Sequence, residues 1–233
     1  MCGRMVLTRS AEEIAADFDA FEGETGFEWP PRYNLAPSQD LLAIRADSVG
    51  SMHFARLRWG LIPSWAREAS IGHRLINARS ETAAEKPSFR SAFRSRRCLI
   101  PADGFYEWLR PSSSDSRGRS PSIPHFFRKH DGLGMMMAGL WESWTDRTTG
   151  ECIDSCTILT TSASADVAPI HHRMPVLLER SRWTDWLDSR PGDVGRLTPL
   201  LVPAAPGTLE SFAVGTQVNH PRHDAPDCIQ PAA

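Results

Sequence analysis

Cys2 stands directly behind Met1, and that placement carries the most specific chemistry in the chain. A small second residue permits removal of the initiator methionine, which leaves cysteine as residue one of the mature chain, a 1,2-aminothiol. Its amine has an ordinary pKa of about 7.7–8.0 and its thiol one of about 8.5, so both react near neutral pH. Two uses follow. In one, the thiol attacks an acyl group with the amine as its base, the logic of N-terminal-nucleophile hydrolases. In the other, the amine condenses with an aldehyde and the thiol closes onto the same carbon. The product is a five-membered thiazolidine that no internal cysteine can form. The plain alternative is a small apolar residue at the start of a strand.

Further groups able to do chemistry are spread along the chain. Pro101-Ala-Asp-Gly-Phe-Tyr-Glu-Trp108 sets Glu107 among aromatic residues, and a carboxyl in an apolar setting has a raised pKa that suits acid–base work near neutrality. Ile170-His-His-Arg-Met-Pro175 joins two histidines to an arginine in a rigid turn, a combination that titrates, moves protons and grips phosphate. Asn77-Ala-Arg-Ser-Glu-Thr82 places an amide, a guanidinium, a hydroxyl and a carboxylate at a helix start, where free N–H groups favour anions. Capping accounts for Ser80 and Thr82 in that run but not for Asn77 and Arg79. Tyr33-Asn-Leu-Ala-Pro37 and Arg58-Trp-Gly-Leu-Ile-Pro-Ser-Trp65 bring Trp and Pro side chains of the kind that stack on or wedge beside bases.

These residues need elements to hold them. Ser10 and Glu13 form a capping box ahead of a helix carrying Ile14, Phe18 and Phe21. Ser80 caps a second helix that bears Phe89 and Phe93 and is disturbed by Pro87. A third runs over 179–188 with Trp183, Trp186 and Leu187 buried. Strands are expected at His53–Trp59, where apolar and Arg positions alternate, and over 97–109, 135–141, 156–161 and 212–218. Short strands with scattered helices predict an α+β fold, one domain over residues 1–233, built on a curved, barrel-like mixed sheet with flanking helices. Residues 111–124 are Ser- and Pro-rich and read as a mobile surface loop, and the tail after Asn219 reads as irregular.

The chain has 233 residues, 41% hydrophobic and 23% charged, which excludes disorder, collagen and coiled coil as the main state. No apolar run approaches the ~18 residues of a membrane span, and residues 1–7 lack a signal-peptide core, so a cytoplasmic protein is expected. The net charge of −2 hides a basic stretch: residues 53–110 hold 11 Lys/Arg against 5 Asp/Glu. Only Lys86 and Lys129 are lysine, and the other 24 basic residues are arginine, which suits a local polyanion groove as well as a codon bias. Five cysteines without paired spacing argue against a disulfide framework. Cys152 and Cys156 with Cys98 and a histidine make a poor zinc set, because no second Cys-x-x-Cys pair exists and Cys156 falls in a strand-like run. No cofactor and no metal are expected.

Taken in order, Met-Cys-Gly-Arg, Tyr-Asn-Leu-Ala-Pro, Arg-Trp-Gly-Leu-Ile-Pro-Ser-Trp, Ile-Asn-Ala-Arg-Ser-Glu-Thr, Arg-Arg-Cys-Leu-Ile-Pro-Ala-Asp-Gly-Phe-Tyr-Glu-Trp and His-His-Arg-Met-Pro-Val resemble the SOS-response-associated peptidase (SRAP) family over almost the whole chain. The resemblance implies a protein that detects abasic sites in single-stranded DNA and links to them covalently, with an autoproteolytic step that exposes Cys2. It implies that Cys2 is the crosslinking residue, that Asn77 orients its amine, and that Glu107 and His171 serve acid–base roles. His171 is preferred to His172 because the family pattern is His-x-Arg-x-Pro. Arg4, Arg79, Ser80 and Arg173 would hold phosphates, and Asn34, Pro37, Trp65 and Thr160 would line the DNA path. The implied partner is single-stranded DNA with abasic sites, engaged by a monomer. Outside that resemblance, two readings stay open: a cysteine peptidase or amidohydrolase acting in trans through Cys2, and a non-covalent single-strand DNA-binding module.

Overall fold

A computed structural model describes residues 2–18, 27–47, 49–110, 122–188 and 194–232. Twelve strands form two sheets. Five of them, β3 (Asp40–Ala46), β4 (Met52–Trp59), β6 (Arg97–Ala102), β9 (Met135–Thr145) and β10 (Cys152–Ser162), close on one another as a barrel in the order β10-β4-β3-β6-β9 and back to β10. The β4–β10 pairing is parallel and the others in the ring are antiparallel, so the barrel is mixed. Two short strands extend the far end of β10: β5 (Asn77–Arg79) pairs with it in parallel and β11 (Arg173–Pro175) antiparallel. The second sheet runs β12 (Leu209–Ala213), β8 (Ile123–Lys129), β7 (Gly104–Leu109), β1 (Met5–Leu7), β2 (Arg32–Leu35). This is the expected α+β architecture.

Alternation along β1 and β7 explains how the second sheet packs. Met5, Leu7 and Phe105 enter the main core, while Val6 and Tyr106 face a smaller cluster with Phe126, Val214, Val218 and Cys228. Phe105 stacks on Phe127 at 5.0 Å. Gly104 is required where β7 meets β8: a Cβ there would lie 2.3 Å from the Phe126 ring and 2.4 Å from the Phe127 carbonyl oxygen.

Some expected elements differ. The strand anticipated over 97–109 is two strands in different sheets. The chain turns at Asp103, whose carboxylate accepts hydrogen bonds from the Thr8 backbone N–H (2.6 Å), the Thr8 hydroxyl (2.7 Å) and the Arg9 Nε (2.9 Å). The helix expected after Ser80 breaks into α2 (Ser80–Ala83) and α3 (Arg90–Ser95) around Pro87, with Phe89 and Phe93 buried as anticipated. Helix α1 (Ala11–Ala15) has both arms of its capping box, and Phe21 lies outside the described residues. The third helix begins as a single 3-10 turn and continues as α4 (Trp183–Leu187), followed by α5 (Val194–Leu197). The strand expected over 212–218 ends at Ala213. Of the Ser-rich run, residues 111–121 lie outside the described residues, and Ile123 and Pro124 already belong to β8. The tail after Asn219 has no strand or α-helix, but it is packed: Cys228 is buried, and Val214 bridges to Pro231. Among the described residues no helix is long and apolar enough to cross a membrane.

Candidate active site

The site lies where the β1–β7 edge of the second sheet meets the extended end of β10. Cys2 precedes β1, which Met5 and Leu7 anchor in the core. β1 and β7 run antiparallel with Met5 opposite Phe105, and the Tyr106 N–H donates to the Arg4 carbonyl (3.0 Å). Continued by two residues, that register brings the first residues of the chain level with Glu107. From the other side, β10 holds Arg79 of β5 and Pro175 of β11 on either flank of Thr160, with Asn77 opposite Ile158 and the His171 turn leading into Arg173 opposite Ser162.

Asn77 Nδ2 donates to the Cys2 carbonyl oxygen at 2.7 Å, and Asn77 Oδ1 is buried with no hydrogen-bond partner. Asn77 thus grips residue 2 through its carbonyl and keeps an acceptor in reserve beside it. Cys2 is fully buried, and burial, reinforced by the nearby Glu107 charge, pushes its thiol far above the ordinary range. Glu107 is also buried, and burial raises its carboxyl pKa. His171 Nδ1 lies 3.8 Å from Glu107 Oε1. The Arg173 N–H donates to that same Nδ1 at 3.1 Å, which fixes the ring's orientation. Burial lowers the His171 pKa, which favours the neutral imidazole. The His172 ring lies 4.4 Å from it, tilted by 32°, and is exposed. Glu107, His171 and His172 line an open depression of about 720 Å³ together with Arg4, Trp108 and Arg110.

The remaining expected site residues divide. Arg4 lines the depression but is engaged: its Nη1 donates to Asn34 Oδ1 (2.7 Å) and to the Val218 carbonyl (2.6 Å). Arg79 is exposed beside Ser80, the first residue of α2. Arg173 forms a two-handed ion pair with Glu81 (2.5 and 2.8 Å) and also donates to the Thr160 carbonyl. Its guanidinium is therefore held by a carboxylate, not open to solvent on all sides. Thr160 is buried and meets the site through Arg173, which donates to its carbonyl (2.5 Å) and more weakly to its hydroxyl (3.4 Å). Asn34 is buried, with its amide donating to the carbonyls of Val218, His220 and His223, which makes it the anchor of the C-terminal segment. Pro37 is half-buried in the turn between β2 and β3, beside Ser38 in the left-handed region (φ 72°). Trp65 is 53% exposed, with Nε1 toward the Pro87 carbonyl (3.4 Å). Cys98 and Cys156 are buried in the main core and Cys152 is exposed.

Sequence reasoning passed over Glu81, Asn219 and Arg110. Asn219 Oδ1 accepts from Trp108 Nε1 (2.7 Å), and the Arg4 guanidinium lies 5.7 Å over the Trp108 ring. The signal for Glu81 was its place inside the Asn77–Thr82 run. Asn219 lies in a stretch without periodicity and had none.

Comparison with known proteins bears on this arrangement. A family model described as SOS response associated peptidase (SRAP) matches residues 1–221. The chain is 38% identical over 230 residues to the abasic site processing protein YoqW of Bacillus subtilis (strain 168), covering 99% of each chain. It is 32% identical over 267 residues to the abasic site processing protein HMCES of Gallus gallus, covering 99% of this chain and 78% of that one. Among solved structures, a Bacteroides thetaiotaomicron protein matches with a TM-score of 0.85 at 24% identity over all of both chains. A Bordetella bronchiseptica protein matches with a TM-score of 0.73 at 29% identity, covering 92% of this chain and 100% of that one.

Proposed function

The chain belongs to the SOS response associated peptidase (SRAP) family, and from that membership we propose that it processes abasic sites in DNA by trapping them on its N-terminal cysteine. Relatives named for abasic site processing support the substrate class. The observation that carries the chemistry is that Asn77 holds the Cys2 carbonyl, the Glu107 charge acts on the Cys2 thiol, and His171 lies 3.8 Å from Glu107.

The reaction runs in balanced steps. Removal of Met1, by self-cleavage or by an aminopeptidase, frees the Cys2 amine. An abasic sugar opens to an aldehyde at C1′ as the ring oxygen takes a proton from the Glu107–His171 pair, whose Oε1 and Nδ1 lie 3.8 Å apart, and the C1′ hydroxyl returns one to it. The amine adds to the aldehyde, water leaves, and an imine forms. The thiol then adds across that bond: sulfur joins the carbon, and the thiol proton passes through the Glu107 carboxylate to the nitrogen. A thiol held protonated by burial suits this order, because the amine attacks first. Most of the acceleration comes from holding amine, thiol and aldehyde together. Backbone phosphates dock along Arg79, Ser80 and Arg173 without reading sequence. A single strand is favoured because its C1′ is presented without unpairing.

A denaturing gel with an abasic single-stranded oligonucleotide tests this. A shifted band that forms without borohydride is expected from the wild type and none from Cys2→Ala. Cys2→Ser should give a band only when borohydride traps the imine. Absence of any wild-type band overturns the proposal, and a stable, untrapped serine adduct overturns ring closure. Retention of Met1 throughout the purified protein would also overturn it.

A further inference from the structure

We infer that His223, Asp227 and Cys228 form a zinc site that locks together the two turns of the C-terminal segment. A ring nitrogen of His223, a carboxylate oxygen of Asp227 and the Cys228 sulfur lie within 4.8 Å of one another, the one such group of His, Cys, Asp or Glu among the described residues. Local structure brings them together. The turn at His220–His223 closes with a 2.9 Å hydrogen bond, and a 3-10 turn over Pro226–Ile229 then presents Asp227 and Cys228 back toward it. His223 Nε2 already sits 2.8 and 3.0 Å from the two Asp227 oxygens, and Cys228 Sγ lies 3.6 Å from the His223 carbonyl. Tetrahedral zinc with its usual bond lengths places nitrogen, oxygen and sulfur donors about 3.3–3.6 Å apart, so closure needs movements of about 1 Å.

The donor set selects the ion. A thiolate, an imidazole and a carboxylate together are neither the all-oxygen shell of calcium or magnesium nor a soft all-sulfur shell, and borderline Zn²⁺ suits them. Thiolate and carboxylate also cancel its charge. The three protein ligands leave a fourth position for water.

The consequence reaches the active site. The segment that zinc would hold supplies the Val218, His220 and His223 carbonyls that grip Asn34, and Val218 also grips Arg4, which lines the depression over Glu107. Zinc therefore stiffens the segment behind one wall of the site, and its binding is separate from capture of DNA.

Cobalt(II) titration of the full chain after chelator treatment provides the test. The expected result is one equivalent bound with a thiolate-to-cobalt charge-transfer band, displaced by Zn²⁺. The band should persist in Cys2→Ala, which removes the competing thiol, and vanish in Cys228→Ala. Because Cys228 is buried, Asp227→Asn serves as the variant that keeps the fold, since its side chain is 54% exposed. It should weaken cobalt uptake at least tenfold and abolish the rise in Tm that Zn²⁺ produces in the wild type. No saturable uptake, a band lost with Cys2 instead of Cys228, or uptake unchanged in Asp227→Asn overturns the assignment.

Discussion

The side-chain amide of Asn77 donates a 2.7 Å hydrogen bond to the carbonyl oxygen of Cys2 across 75 positions of sequence. The contact joins the parallel strand added to β10 with the start of β1, and so ties the two sheets together at the place where the N-terminal residue must be held still. Replacing Asn77 with Ala removes one hydrogen bond and should cost about 1 kcal/mol of stability. Its effect on single-turnover crosslinking should be larger, a slowing of about ten- to a hundredfold, because misplacement of reacting atoms is penalised steeply. Equal crosslinking rates for Asn77→Ala and wild type would show that residue 2 is positioned by something else.

Glu107 links chemistry to stability. Burial raises its folded-state carboxyl pKa above the ordinary value of about 4.3. The stability this contributes is fully present below about pH 4.3 and is lost as pH rises through the raised value, since the native state then holds a proton that the unfolded chain has already released. Glu107→Gln should flatten the fall of Tm across that window and slow crosslinking about a hundredfold or more while leaving DNA binding intact. Parallel Tm-against-pH curves for the two proteins would remove burial as the cause.

Glu81 holds Arg173, the guanidinium proposed to dock a phosphate. The pair is charge-assisted and two-handed, and the arginine holds the Glu81 carboxyl below its usual range. Glu81→Gln should tighten binding of an intact single strand about two- to fivefold, the worth of a half-exposed ion pair. It should also steepen the dependence of log K on log salt by about 0.7, one added phosphate contact. Arg173→Ala should weaken binding and make the slope shallower. A filter-binding salt series reads both, and identical slopes in all three proteins would place the phosphate path elsewhere.

Asn34 separates a structural role from a DNA contact. Its buried amide serves Arg4 and three carbonyls of the C-terminal segment. Asn34→Ala should destabilise the protein by about 2–4 kcal/mol and lower Tm by roughly 5–12 °C. Proteolysis should then begin in residues 218–232. A variant with unchanged Tm but weaker DNA binding would restore Asn34 to the DNA path.

How much of this was legible in the chain depended on range. The capping box of α1 was readable because Ser10 and Glu13 are three residues apart and both hydrogen bonds are local, at 3.2 and 2.8 Å. The alternation of β4 was readable for the same reason. The break at Asp103 was not, because it is made by Thr8 and Arg9, just past β1 and more than ninety residues away. The cluster of His223, Asp227 and Cys228 escaped a search for cysteine pairs, since only one of its donors is a thiol.

The sequence by itself determined the inventory: an aminothiol latent at position 2, a carboxyl among aromatics, paired histidines beside an arginine, and the periodicities of the strands and helices that carry them. Tertiary structure alone decided which of these meet and in what ionisation state. Folding brings Asn77 to the Cys2 carbonyl and His171 to within 3.8 Å of Glu107, and burial sets the proton affinities of Cys2, Glu107 and His171. The physical reason is that side-chain period is a property of neighbouring residues, whereas desolvation and long-range register depend on surfaces that exist only once the barrel and the second sheet have packed.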